Sequence, residues 1–287
     1  MRTVFRNTAT ILLLAASAAS VDAAEWKIDP TVAFRTGYND NILLSIDDEV
    51  SSAEARLSPS AVFSVATPSS GISGDLRFDF RRFEDDSNLD DNNVRFLTSS
   101  YHRMARSKLG LDLSFIKDTT LDSQLENTGL VFERTTRHAV NAGPNWTYSL
   151  DERTQARFGY TYSDVRYNDT GETGFVDYHV NRGQALLRRV LNARTESSIT
   201  LSHSQTSNDN QVDSKNTNLQ AGGSYRFSET LSASLFAGVR RTEVDFSQSS
   251  LIPIFSGDIS IGFIPLTDNV SRSDWGNTFC GSLSKDF

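Results

Sequence analysis

Charged and apolar residues alternate along DLRFDFRRF, residues 75–83 of this 287-residue chain. Asp75, Arg77, Asp79 and Arg81 share one face of a strand, because successive side chains in a β-strand point to opposite faces. Opposite charges two residues apart lie about 7 Å from each other along the strand, so they can pair directly or through water. Guanidinium groups on such a face also bind carboxylates and phosphates bidentately. These residues therefore offer charge recognition rather than bond chemistry.

Histidine is the other residue type with catalytic potential, and the chain has His102, His138, His179 and His203. Nucleophilic catalysis needs a nucleophile, a base and an orienting group within hydrogen-bond reach of one another. His203 lies in the tripeptide SHS near the expected outer end of its strand, and no local pattern joins three such groups. We therefore expect interfacial or internal polar histidines and no enzymatic activity.

Clustered carboxylates fall between the expected strands. They are Asp47, Asp48, Glu49, Glu84, Asp85, Asp86, Asp90, Asp91, Asp209 and Asp213. Carboxylate oxygens suit calcium or magnesium, and such ions would bridge the protein to phosphorylated lipid. The stretch DDSNLDDNN, however, lacks the glycine and the spaced glutamate of an EF-hand loop. We expect solvated loops and predict neither a metal site nor a cofactor.

The beginning of the chain reads as a targeting segment. Two arginines precede an apolar run at 11–19, which is too short for a membrane-spanning helix and typical of a signal-peptide core. Small residues favour a cut after Ala23. Residues 1–23 are therefore expected to be a cleaved signal peptide, and residues 24–287 a single domain.

Composition narrows the class of protein. The chain has 28 basic and 36 acidic residues and a formal charge of −8, which makes nucleic acid an unfavourable partner. The single cysteine, Cys280, excludes an intramolecular disulfide framework and a multi-cysteine metal cluster. After residue 24 no apolar run predicts a membrane helix, but transmembrane strands never form such a run because they alternate lipid-facing with lumen-facing residues.

Alternation of apolar and polar residues recurs along the chain and predicts twelve strands, two of them, near 94–104 and 176–191, of ambiguous register. Long and short connections follow one another in order. The long ones are NDNILLSIDDEVS, EDDSNLDDNN, KDTTLDSQLEN, VRYNDTGETG and QTSNDNQVDSK, and the short ones are ATPSSG, ARS, SLDER, NART and SET. Outer-membrane barrels keep this order, with tight periplasmic turns and long outer loops. We predict an all-β, transmembrane, antiparallel up-and-down β-barrel in the outer membrane of a Gram-negative bacterium.

The last connection, 245–269, is the longest and contains the apolar piece SLIPIFSGDISIGFIPL. Its two apolar arms flank Gly257 and Asp258, which predicts an extra hairpin that extends the wall, folds inward as a constriction or meets a partner. Of these alternatives, we expect that the hairpin extends the wall. The final stretch, WGNTFCGSLSKDF, resembles the signal that barrel-assembly machinery reads, but it also resembles the approaches to internal turns, so a shortened relative of a longer barrel is the alternative.

One strand phase, continued through the chain, gives a charged set expected to line the lumen. It comprises Arg35, Arg56, Arg77, Arg81, Lys108, Arg157, Arg226 and Arg240, with Asp75, Asp79 and Asp112. This set is net positive although the chain is net negative, so a pore built from it would prefer anionic solutes or an acidic polysaccharide. The alternative is that the arginines pair with the aspartates and fill a plugged lumen.

The opening WKIDPTVAFRTGYNDNILLS is followed by a polar loop and by LSPSAVFSV, with Asp40 and Asn41 in the first segment and Ser58 and Pro59 in the second. This arrangement resembles the outer-membrane barrel family called beta-barrel porin 2. The resemblance covers nearly all of the chain after residue 23. It implies a porin-like barrel, linked in some relatives to exopolysaccharide or capsule export, and it implies no catalytic residues.

The expected function is porin-like passive passage of small, anionic or saccharide solutes through a charged lumen. The alternative is a non-conducting structural or accessory barrel, in polysaccharide export or surface interaction. The expected partners are outer-membrane lipid and lipopolysaccharide, the barrel-assembly machinery and, in the accessory role, polysaccharide-export components.

Overall fold

The computed structural model describes residues 24–39, 51–84, 87–120, 135–168, 170, 175–209, 212–256 and 259–285. Twelve β-strands make up most of these residues. They are β1 (Glu25–Asn39), β2 (Ser52–Ala66), β3 (Ser70–Phe83), β4 (Asp91–Arg103), β5 (Ser107–Thr119), β6 (Thr136–Ser149), β7 (Thr154–Tyr167), β8 (Tyr178–Asn192), β9 (Thr195–Asn208), β10 (Asp213–Arg226), β11 (Leu231–Ser256) and β12 (Ile259–Lys285). The two stretches of ambiguous register are β4 and β8, and the predicted number of strands is confirmed. The predicted signal peptide lies outside the described residues.

Each strand pairs antiparallel with the next one along the chain, so a single sheet runs in sequence order from β1 to β12. This up-and-down order is the predicted one. A 3₁₀ turn, Ser87–Leu89, precedes β4. Within the described ranges, no helix has the length and the apolar character needed to cross a membrane.

The sheet has two edges, because no ladder joins β1 to β12 in the described parts of these strands. Side chains there are accordingly open: Phe34 on β1 is 67% exposed and Phe279 on β12 is 77% exposed, against 36% for Phe80 inside the sheet. The predicted closure of the ring is therefore not formed here. Closure depends on curvature and on a register between the two most distant strands, and local alternation determines neither of these.

Two faces follow from the register. Phe34 lies opposite Leu57, which lies opposite Phe80, so apolar residues continue from strand to strand. We call this the apolar face, and the other side of the sheet the polar face. Aromatic rings contact one another on the apolar face, as Trp146 and Phe158 do at a centroid distance of 5.6 Å.

The apolar face is not covered by protein in the described structure. Large apolar side chains on almost every strand are exposed, and the buried apolar cluster contains only Phe83 and Leu89. A soluble sandwich would pack such a face against a second sheet. An uncovered apolar face on a β-sheet instead matches the lipid-facing surface of a transmembrane barrel.

Short turns gather at one end of the sheet, which we call the turn end. They are residues 67–69, 104–106, 150–153, 193–194 and 227–230. In the turn between β6 and β7, Asp151 Oδ1 accepts hydrogen bonds from the backbone amides of Arg153 at 2.7 Å and Thr154 at 2.8 Å. These hydrogen bonds, that of the Arg153 amide first, lower the pKa of the Asp151 carboxyl below its ordinary value.

The opposite end of the sheet, the loop end, differs from prediction at two connections. β9 and β10 continue to Asn208 and from Asp213, so the expected long loop QTSNDNQVDSK is mostly strand. β11 and β12 likewise continue to Ser256 and from Ile259. Polar side chains do not prevent strand pairing in water, since the ladder bonds join backbone groups. Both stretches were predicted as long loops, which was wrong, but for the second the predicted extra hairpin that extends the wall was right.

Candidate functional site

The structure places all of the charged residues predicted to line a lumen on the polar face. Arg35 lies on β1, Arg56 on β2, Asp75, Arg77, Asp79 and Arg81 on β3, Lys108 and Asp112 on β5, Arg157 on β7, Arg226 on β10 and Arg240 on β11. Their phase agrees from strand to strand through the cross-strand register. That this face encloses a lumen stays a prediction.

Near the loop end, arginines from three neighbouring strands lie in one row. Arg35 is opposite Arg56, and Arg56 is opposite Arg81. Arg56 Nε donates to Asp79 Oδ1 at 3.0 Å, and Arg81 lies 3.9 Å from a carboxylate oxygen of Glu54 and of Asp91. Carboxylates thus neutralise two of the three arginines, as the plugged alternative requires.

Other cations of the polar face have no such partner. Arg77 lies directly opposite Arg95, and no ion pair joins either one to a carboxylate in the described residues. Arg35, Arg157, Arg226 and Arg240 also make no ion pair with any described residue. Like charges directly opposite each other are destabilising in a sheet. The polar face therefore keeps positive charge that its own carboxylates do not cancel.

Sequence reasoning missed several charged residues on this face. Arg95 and Arg103 belong to β4, and Arg137 on β6 donates to Asp118 through Nε at 2.9 Å and through a terminal nitrogen at 2.6 Å. Arg188 on β8 pairs with Glu196 at 2.5 Å. Extending the strand phase through the two ambiguous strands is the signal that finds the residues of β4 and β8.

A cavity of about 710 Å³ lies on the polar face at the turn end, over β4 to β8. Its basic lining residues are Arg103, Arg106, Lys108 and Arg157, and no carboxylate lines it. Arg103 Cζ lies 4.8 Å, and Lys108 Nζ 5.1 Å, from the centroid of the same Tyr101 ring. Apart from Lys108 and Arg157, these basic residues were not predicted, because the site forms only when the strands are in register.

The histidines lie in phase with the apolar residues. His102 Nδ1 is 2.7 Å from Ser70 Oγ, and His203 Nδ1 is 2.9 Å from Thr217 Oγ1. Neither hydrogen bond continues to a carboxylate among the residues described. The Ser70 contact was missed in the sequence because it joins β3 to β4 across 32 positions.

One acidic residue of the loop end, Asp90, contacts the chain through its side chain. Asp90 Oδ1 accepts a hydrogen bond from the Phe83 amide at 3.0 Å, and Asp90 Oδ2 lies 3.5 Å from Arg82 Nε. Asp47, Asp48, Glu49, Asp85 and Asp86 lie outside the described residues. Across the described part of the chain, no group of three or more candidate ligands is placed to hold a metal ion.

No family model and no curated protein matches this chain. Among solved structures, the Ferric-Catecholate import receptor Fiu from E. coli K12 is similar with a TM-score of 0.56 at 10% identity, over 91% of this chain and 52% of the receptor. The chain thus spans about half of that receptor. A FadL homologue from Pseudomonas aeruginosa gives a TM-score of 0.45 at 12% identity, over 92% of this chain and 75% of the homologue.

An outer membrane channel from Pseudomonas putida F1 gives a TM-score of 0.36 at 13% identity, over 92% of this chain and 97% of the channel. The sheet order, the uncovered apolar face and the likeness to the receptor define the class: an outer-membrane β-barrel protein. The predicted fold class and the predicted location in the outer membrane are confirmed.

Proposed function

We propose that the sheet forms the wall of a pore for the passive passage of small anionic or saccharide solutes. The observation that supports this function is the unneutralised positive charge of the polar face, which Arg77 and Arg95 carry on the neighbouring strands β3 and β4. Clefts lined by one sign of charge concentrate counter-ions and raise their rate of entry. Passage of this kind involves no bond chemistry, so we propose that the protein is not an enzyme.

Closure of the wall is part of the proposal. An open sheet edge cannot lie in lipid, because its unpaired backbone groups cost several kcal/mol each there, as an order of magnitude. We therefore propose that β1 and β12 pair in the bilayer, with the apolar face against the lipid and the polar face around water. Membership of the beta-barrel porin 2 family, contacts with lipopolysaccharide and delivery by the barrel-assembly machinery belong to the same proposal.

Conductance in planar bilayers tests the pore. The folded chain is expected to give discrete current steps, and a salt gradient is expected to give a reversal potential of the sign that anion selectivity requires. Substituting Arg77→Gln together with Arg95→Gln is expected to reduce that selectivity. Silence at high protein concentration, or steps selective for cations, would refute the function.

A second function has its own support. Three ion pairs cross between neighbouring strands on the polar face, as the filled interior of a plugged barrel requires. They are Arg56–Asp79, Arg137–Asp118 and Arg188–Glu196. A non-conducting accessory barrel, in polysaccharide export or surface interaction, would keep these pairs and show no steps. Substituting Asp79→Asn and Asp118→Asn loosens the pairs, so the appearance of steps only in this variant would favour the accessory role.

A further inference from the structure

We propose that the cavity at the turn end of the polar face binds small solutes that carry an anionic group on a hydroxylated skeleton, such as sugar phosphates and sugar acids. The cavity lies on the polar face, away from the apolar face that lipid contacts. The proposal deepens the pore function and rests on solute access to the polar face. It adds a defined site and a ligand class to a general preference for anions.

The positive charge of the cavity is concentrated by the register. Arg103 lies directly opposite Lys108, and Lys108 lies opposite Thr147, which lies opposite Arg157. Directly opposite residues have Cβ atoms about 4.5–5.5 Å apart. Since Arg103 and Lys108 also share the Tyr101 ring, two like charges are held close together. A bound anion would relieve their repulsion and gain charge-assisted hydrogen bonds.

The carboxylate nearest to this row in the register is already engaged. Asp112 lies on β5 four register pairs further toward the loop end, opposite Ser99. Ser99 Oγ donates to Asp112 Oδ1, and Asn145 Nδ2 donates to Asp112 Oδ2 at 3.3 Å. Asp112 does not line the cavity. The cations of the cavity therefore keep their charge available to a solute.

Neutral hydrogen-bonding groups surround the cations. The amides of Asn145, Gln155 and Gln184 and the hydroxyls of Thr147 and Ser149 line the same cavity. Amides both donate and accept, and hydroxyls do the same, so they match the hydroxyl groups of a sugar. A volume of about 710 Å³ lies within the range of about 300–1,000 Å³ that is typical of small-molecule sites. Cations for the acidic group and amides for the skeleton together indicate the ligand class.

Gly159 keeps part of the cavity open. It lies on β7 beside Asn145 in the register and belongs to the lining. A Cβ built at Gly159 would meet nothing within 4 Å. A side chain added there would therefore occupy the cavity without a clash with the strands. This position allows the site to be blocked while the fold is kept.

Calorimetric titration of the full chain, folded in detergent, tests the site with three probes: glucose 6-phosphate, glucose and inorganic phosphate. We expect glucose 6-phosphate to bind more tightly than either of the other two, and added salt to weaken its binding. Lys108→Gln and Arg157→Gln are each expected to weaken binding about tenfold or more, as loss of a charge-assisted hydrogen bond does. Gly159→Glu is expected to abolish binding, whereas Gly159→Ala should retain it.

Arg194→Gln is the matched control, because Arg194 is exposed in the turn 193–194 at the turn end and does not line the cavity. Its affinity for glucose 6-phosphate is expected to equal that of the unaltered chain. Equal affinity for inorganic phosphate and glucose 6-phosphate would overturn the proposed ligand class. Unchanged binding in both Lys108→Gln and Arg157→Gln would overturn the site. Binding without conductance would refute the pore alone, and conductance without binding would refute this site alone.

Discussion

Arginine substituted on the two faces of one strand measures which face meets lipid. Leu201 is the seventh of the fourteen residues of β9, and its register partners are Ala185 and Leu219. A fourteen-residue strand tilted by about 45° spans roughly 34 Å, close to the hydrocarbon thickness of about 30 Å, so Leu201 lies near the bilayer midplane. Arginine on the lipid face at this depth costs about 2–4 kcal/mol. Leu201→Arg should thus shift the folding equilibrium by roughly 30-fold to 700-fold.

Ser202→Arg is the matched control one residue further on. Ser202 lies on the polar face between Gln184 and Asn218, where a charge stays in water, so we expect a change within about 0.5 kcal/mol. Equilibrium unfolding by denaturant in lipid vesicles gives both free energies of unfolding. The reasoning is refuted if Ser202→Arg costs as much as Leu201→Arg, or if both variants are as stable as the unaltered chain.

Three further predictions concern the turns, the strands and the edges. Because the pKa of Asp151 is lowered in the folded state, its carboxylate stabilises the fold above the ordinary pKa of 3.8, and this contribution is lost as the pH falls through the folded-state pKa. Asp151→Ala should therefore lower the denaturant midpoint at pH 7 but not near pH 2. Equal losses at both pH values would contradict this. Gly222→Ala should lower the free energy of unfolding by about 1–3 kcal/mol in the same assay, because the added Cβ would lie 2.1 Å from the Leu235 carbonyl oxygen. Gly159→Ala, whose Cβ meets no atom within 4 Å, should leave the free energy of unfolding nearly unchanged. Equal effects of the two variants would be inconsistent with the register. In vesicles, Trp26→Cys and Leu283→Cys in a Cys280→Ser background should cross-link within one chain through a short bifunctional thiol reagent, and cross-linked dimers on denaturing gels would instead show that the edges join two copies.

The strands were predictable wherever one face of the strand carries apolar residues alone. In β3, Leu76, Phe78 and Phe80 alternate with charged residues, so both the strand and its phase follow from the sequence. In β4, by contrast, Thr98, Ser100 and His102 occupy the apolar face, which hides the phase. The basic residues of β4 were missed for this reason.

The cavity and the open edges depend on the cross-strand register and on the curvature of the sheet, and neither can be predicted from the alternation of residues along the sequence. Lys108 meets Arg103 and approaches Arg157 only through a register that joins four strands. The prediction of a long loop between β9 and β10 was wrong because backbone pairing can continue through polar residues. Pairing of β1 with β12 is not formed between the described strands, and the sequence could not show this because curvature is a property of the whole sheet and of its surroundings.

The hairpin of β11 and β12 continues for 246–256 after its last pairing with β10, and within the described part of the chain these residues pair with β12 alone. Eleven further residues at about 3.4 Å each carry the ribbon roughly 37 Å past its neighbours. In the proposed barrel the loop end faces the medium, so this ribbon would stand well clear of the lipid headgroups. Antibodies, proteases and phage tails approaching a cell would meet it before they meet the bilayer, which makes it the natural place for an epitope tag that reports surface display.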